Sequence, residues 1–184
     1  MRKLILFMGP PGLMIKQIAS VLLKYIDSEI SVLSIEPFKH ENIIYSTVDY
    51  YDELAEFSER LTHTINDSNK NETIIVCGFF VTPNERKYID NAIKRANNKI
   101  DKKYGVWIEN IGSELKKVAQ ENNISEELFQ HLFKRRSSPR AIEEYNDIYY
   151  ISKHFNIGTS KRFSSMYSID DLLMILGREC NDEN

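Results

Sequence analysis

Cysteine, proline and glycine are scarce in this chain: two, five and seven among 184 residues. Two thiols cannot build a disulfide framework. Cys77 lies in an apolar run, Cys180 in a polar stretch, and neither has metal-like spacing, so a reduced, cytoplasmic setting is expected. His40, His63, His131 and His154 are scattered without ligand spacing, and no metal site is expected from them. Long hydrophobic runs are missing too. The longest, Ile74 to Val81, is strand length, so no membrane span is expected. Arg2-Lys3 before five apolar residues starts like a signal peptide, but Gly9-Pro10-Pro11 cuts the run short. Nor is there an excess of one charge. A net charge of −3 implies no bulk affinity for nucleic acid or membrane.

What is present begins at the first turn. Leu4 to Met8 is a buried-strand pattern, and Gly9-Pro10-Pro11-Gly12 breaks it. Ile15, Ile18, Ala19, Leu22, Leu23 and Ile26 then recur at helical spacing. Strand, tight loop and amphipathic helix are the frame of a phosphate-binding loop, GxxxxGK[ST], whose backbone N–H groups and helix dipole hold phosphate. The residues inside the frame depart from that motif. Counted from Gly9, the second glycine falls on Met14, the lysine on Ile15 and the hydroxyl on Lys16. Lys16 comes one place late, about 100° around the helix from where a loop lysine belongs. Two readings stay open: a strand-to-helix turn that holds no nucleotide, or an anion site made of backbone groups, with Gly9, Pro10, Pro11, Gly12, Leu13, Met14, Ile15, Lys16 and Gln17 as the candidate nucleotide contacts.

The rest of the chain alternates strands and helices. Strands are expected at Ile30–Ile35, Thr73–Phe80, Tyr104–Ile111 and a short Phe155–Gly158. Helices are expected at Tyr50–Ile65, Pro83–Asn97, Ser113–Asn122, Ser125–Lys134, Ala141–Lys153 and Ile169–Leu176. Ile43–Tyr45 fits a short strand or a loop. This order predicts a three-layer α/β/α domain with a mainly parallel sheet over residues 1–177, and a polar, frayed tail over 178–184. A sheet of this kind binds its ligand at the carboxyl ends of its strands. Gly9–Gln17, Ile35-Glu36, Gly78–Thr82 and the segment after Ile111 should thus surround one crevice.

Three stretches carry a family resemblance: Ile74 to Pro83, Tyr104 to Glu109, and the pattern of Pro139, Glu143, Tyr145, Asp147 and Ile148. With the opening loop, they resemble the small P-loop kinases, in particular the kinase domain of bacteriophage polynucleotide kinase and its zeta-toxin-like relatives. The resemblance implies a P-loop fold over roughly residues 3–176, ATP and Mg2+ as cofactors, and a nucleotide or nucleic-acid end as partner. It also implies a phage-type origin. Phosphoryl transfer depends on positioned charge, and the matching positions here are depleted. Gly78 stands where relatives carry an Asp. Lys116 and Lys117 are the lid cations in place of arginines, and lysine lacks the arginine fork. Glu36 is the best-placed candidate for the catalytic acid after the second strand, with Asp49 and Asp52 less well placed.

One further cluster stands out. Lys134, Arg135, Arg136 and Arg140 place four cations within seven residues, either a solvated helix end or an alternative phosphate contact. Lys94 to Lys103 is a second basic stretch and reads as a solvated helix end. His40 with Glu36 and Glu41 could supply an acid/base group. Trp107 and Tyr145, Tyr149 and Tyr150 read as core. Three functions stay open: a binding or accessory pseudokinase, an active nucleotide or polynucleotide 5′-kinase using Lys16, and an accessory protein that meets a protein partner by surface contacts alone.

Overall fold

The computed structural model describes residues 1–9, 15–35, 46–108, 116, 119, 123–140, 143–151, 157–159 and 169–181. The chain runs β1 (Lys3–Met8), α1 (Ile15–Leu22) with a 3-10 turn at Leu23–Tyr25, β2 (Ile30–Ser34), α2 (Thr47–Asp67), β3 (Thr73–Gly78) and α3 (Pro83–Arg95). It continues through β4 (Lys102–Ile108), α4 (Glu126–Arg135), β5 (Asp147–Ile151), β6 (Ile157–Thr159) and α5 (Ile169–Asn181). The six strands form one sheet in the order β2-β3-β1-β4-β5-β6. All pairings are parallel except β5 with β6.

Every residue of β1 and β3 is buried, as expected of central parallel strands covered on both faces. Their side chains alternate between two cores. Leu4, Leu6, Met8, Ile74, Val76 and Trp107 pack with α2, α3 and α4. Ile5, Phe7, Ile75, Cys77 and Val106 face α1 and α5. The three-layer α/β/α arrangement expected from the sequence is therefore present. Order reverses at β1, with β2 and β3 on one side and β4 and β5 on the other, which makes its carboxyl end the topological switch point.

Local chemistry sets the helix starts. Ser46 accepts from the Asp49 N–H at 3.2 Å while the Asp49 carboxylate accepts from the Ser46 N–H at 3.0 Å, a reciprocal cap that opens α2. The Ser46 hydroxyl also donates to Asp49 Oδ2 at 2.6 Å, and that bond, with the one from the Ser46 N–H, holds the Asp49 carboxyl below its ordinary value. Ser125 caps α4 by accepting from the Leu128 N–H at 3.1 Å.

Three expectations are corrected. Residues 147–151, inside the helix expected at Ala141–Lys153, form strand β5. Asp-Ile-Tyr-Tyr-Ile satisfies both periods over so short a run, and its β-branched and aromatic content favours the strand. Ile148 joins the core on one face and Tyr149 the core on the other, the alternation of a strand. The tail begins later than expected, because α5 continues to Asn181. Cys180 is buried there, and the Lys3 ammonium donates to its carbonyl. Lys103, read as part of a solvated helix end, is buried; it donates to Asp90 at 2.6 Å and lies 3.9 Å from the Tyr145 ring centroid. Of the expected helix 113–122, only Lys116 and Ala119 are described, both with helical backbone. Residues 43–45 lie outside the described residues.

Candidate functional site

The switch point is assembled from strand ends. Met8 closes β1 opposite Gly78 on β3 and Trp107 on β4. Beyond it the Gly9 N–H donates to the Phe79 carbonyl at 2.9 Å, and the Ile35 N–H donates to the Cys77 carbonyl at 3.0 Å. Gly9, Ile35 and Gly78–Thr82 thus share one edge, as the sequence led us to expect. Pro10, Pro11, Gly12, Leu13 and Met14 lie outside the described residues. Helix α1 begins at Ile15, so the position counted as the loop lysine opens the helix, and Lys16 and Gln17 follow within its first turn. Glu36 and its grouping with His40 and Glu41 lie outside the described residues, as does Lys117.

Space around Gly78 decides what the end of β3 can carry. A Cβ there would sit 2.4 Å from Phe80 Cε2 and 2.5 Å from Ile35 Cγ2. Both neighbours are core side chains, and Phe80 is fully buried against Phe57 at a ring separation of 6.0 Å. Phe80 has φ 43°, a left-handed conformation that is an outlier for a bulky residue. Magnesium requires oxygen ligands, whereas the volume beside Gly78 is hydrocarbon. The residues present do not fit a metal-holding carboxylate at this strand end. Among the described residues, strand β1 ends at Met8 and helix α1 begins at Ile15.

The edge is locked by two buried polar groupings. Thr82 and Glu85 form a reciprocal cap at the start of α3, with the Thr82 N–H donating to Glu85 Oε2 at 2.7 Å. The Tyr50 hydroxyl on α2 donates to the other carboxylate oxygen at 2.5 Å. Burial raises the Glu85 pKa, and the hydrogen bonds from Tyr50 and Thr82 oppose it. Burial and the Glu85 charge together push the Tyr50 phenol well above its ordinary range. The second grouping centres on Arg86, which is 1% exposed. Its guanidinium meets Glu143 twice, Nε–Oε2 at 2.5 Å and Nη2–Oε1 at 3.0 Å, and its Nη1 donates to the carbonyls of Phe80 at 2.9 Å and Ser137 at 3.0 Å.

This second grouping brings the basic turn to the edge. The Ser137 N–H donates to the Val81 carbonyl at 2.8 Å, and the Arg140 N–H donates to Glu143 at 3.0 Å. Lys134, Arg135, Arg136 and Arg140 are exposed around that anchor. Arg136 lies over the Phe133 ring, 3.8 Å from its centroid. Lys116, by contrast, is engaged with Glu126 at 3.1 Å, an exposed pair of the weak kind.

Glu85 and Arg86 escaped assignment from the sequence. Thr82-Pro83-Asn84-Glu85 is a readable capping box, but nothing in the sequence marks its members, or Arg86 beside them, as buried.

Similar folds are found among solved structures. Those matched across nearly their whole length include a sugar kinase from Janibacter sp. HTCC2649 (TM-score 0.59, 10% identity, 99% of this chain and 95% of that one). Another is the Mycobacterium tuberculosis APS kinase CysC in complex with AMPPNP and APS (0.58, 14%, 98% of each). A third is Chaetomium thermophilum Kti12 in complex with ADP-AlF3 (0.59, 10%, 96% and 98%). At these identities the likeness concerns the fold, and that fold is the P-loop kinase-like α/β fold. No protein-family model matches the sequence, and neither does any curated protein.

Proposed function

We propose that this chain is a P-loop kinase-fold protein, of the phage polynucleotide kinase and zeta-toxin type, that binds a nucleotide and transfers its phosphoryl group weakly or not at all. Backbone groups over Gly9–Gln17 would hold the phosphates of ATP, which supplies the transferable phosphoryl when bound. The packing at Gly78 carries the reading. An acidic side chain at that position would be aimed at Phe80 and Ile35, and a site built on positioned charge loses most of its effect without such groups. The AMPPNP and ADP-AlF3 held by two of the similar structures support nucleotide binding.

Calorimetric titration with ATP and an ATPase or 5′-kinase assay test this together. Heat on binding, with turnover far below about 1 per second, is expected. Turnover at or above that rate, abolished by Lys16→Ala in a folded protein, would establish an active kinase instead. No heat at all would leave only an accessory protein acting by surface contacts.

A further inference from the structure

We propose that the cleft at the amino ends of β1, β2 and β3 is a binding site for a small zwitterion of the amino-acid class. It lies at the opposite end of the sheet from the β1–α1 turn, and the proposal does not depend on nucleotide binding there.

The cleft has a volume of about 450 Å³, within the roughly 300–1,000 Å³ of small-molecule sites. Lys3 opens β1, Glu29 directly precedes β2, Asn69 lies on the turn before β3, and Asn181 ends α5. Apart from Met1 and Cys180 the wall is made of polar side chains, so an apolar guest finds little to bury against. Both signs of charge are present and do not pair with each other. The positive pole is Lys3, a buried residue whose ammonium donates to the Cys180 carbonyl in the last turn of α5. The negative pole is Asp27 with Glu29, both exposed. Asp27 Oδ2 accepts from Asn181 Nδ2 at 3.2 Å, and Glu29 Oε2 accepts from Asn69 Nδ2 at 2.7 Å. Those partners are neutral amides, and among the described residues neither carboxylate has a cation. A simple anion would meet the two carboxylates, and a simple cation would meet the lysine, each at a Coulombic cost. A molecule carrying an ammonium beside a carboxylate satisfies both poles at once.

The wall is also built in advance. The Asp27 N–H donates to Asn181 Oδ1 at 3.0 Å, and Asn181 Nδ2 donates to the Tyr25 carbonyl at 2.9 Å. The Thr73 N–H donates to the Glu29 carbonyl at 2.9 Å, and the Lys3 N–H donates to the Glu72 carbonyl at 3.0 Å. The Glu72 carboxylate in turn accepts from the Asn69 N–H at 2.9 Å. The turns on either side are thereby tied to the strands and to the end of α5, which lowers the ordering cost of binding.

The test is saturation-transfer NMR of the full chain with the protein amino acids, one at a time, followed by calorimetric titration of whichever binds. At least one should bind. Its decarboxylated amine and its deaminated acid should each bind about tenfold more weakly or worse, because each lacks one charge-assisted hydrogen bond. The double variant Asp27→Asn, Glu29→Gln keeps acceptor oxygens for Asn181 and Asn69 but removes the negative pole. It should also weaken binding about tenfold or more, with an unchanged circular dichroism spectrum. Three results would overturn the proposal. Binding by no amino acid would remove the ligand class. An amine or an acid that binds as tightly as its parent amino acid would make this a simple cation or anion site. An unchanged Kd in the double variant would put the binding elsewhere on the molecule.

Discussion

Replacing Arg86 by Met should be among the most damaging single changes in the chain. Arg86 is 1% exposed, and its side-chain bonds reach four acceptors: both Glu143 oxygens and the carbonyls of Phe80 and Ser137. Methionine keeps the aliphatic stem but leaves Glu143, itself only 11% exposed, without its charge partner. Breaking a buried pair in this way costs about 3–5 kcal/mol. Each orphaned carbonyl adds about 1–3 kcal/mol in isolation, but these overlap with the first figure and are not summed. Since a domain of this kind is stable by about 5–15 kcal/mol, the variant should lose at least about a fifth of its stability, and most of it if the parent lies at the low end of that range. Urea unfolding followed by circular dichroism measures it. The double variant Arg86→Met, Glu143→Leu removes both charges and should recover at least half of the loss, because an apolar pair can replace a buried ion pair at little cost. A loss below about 1 kcal/mol for the single variant, or no recovery in the double one, would refute the assignment of Arg86 as the clamp of this edge.

Glu85 gives a pH dependence. Burial holds its folded pKa above the ordinary 4.5, so between those two values the folded state binds more protons than the unfolded one. Stability from this group therefore falls as pH rises from 4.5 through the folded pKa, the reverse of the usual salt-bridged carboxylate. Glu85→Gln should remove that component, and urea midpoints across the window with an unchanged slope would count against it. Ser125→Ala deletes the α4 cap and should cost about 1 kcal/mol by the same measurement; no change in midpoint would mean that the Leu128 N–H is satisfied otherwise.

The parts legible in the sequence were those governed by local rules. The central strands read as continuous apolar runs because both their faces are covered, and Ser125 and Pro83 marked helix starts. The interval 147–151 misled because Asp147 followed by four residues of Ile and Tyr fits either period, and the pairing with β4 that selects the strand is a long-range fact. Lys103 misled for a related reason. Its solvation depends on Asp90 and Tyr145, which the fold brings to it from other elements. At the site the sequence showed which groups were absent, such as an acid at Gly78. It could not show what fills the vacated volume, and that packing turns a missing residue into a constraint.

The constraint can be tested for reversibility. Gly78→Asp alone forces a Cβ to within 2.4 Å of Phe80 Cε2 and 2.5 Å of Ile35 Cγ2, and overpacking of this sort costs about 1–3 kcal/mol before the carboxylate's own burial is counted. Phe80→Gly alone removes a fully buried ring, at about 3–5 kcal/mol by the usual large-to-small series, while relieving about 1–3 kcal/mol of backbone strain at φ 43°. If Phe80 is what excludes the acid, the two changes must couple. The double variant should be more stable than the sum of the single losses predicts, because the second change vacates the volume that the first one needs. Urea midpoints for all four proteins close that cycle. Strict additivity would mean that the clash is relieved some other way, for instance by movement of Ile35. The aromatic side chain would then be a bystander, and the absence of an acid at this strand end would be a matter of sequence alone, open to reversal by one substitution.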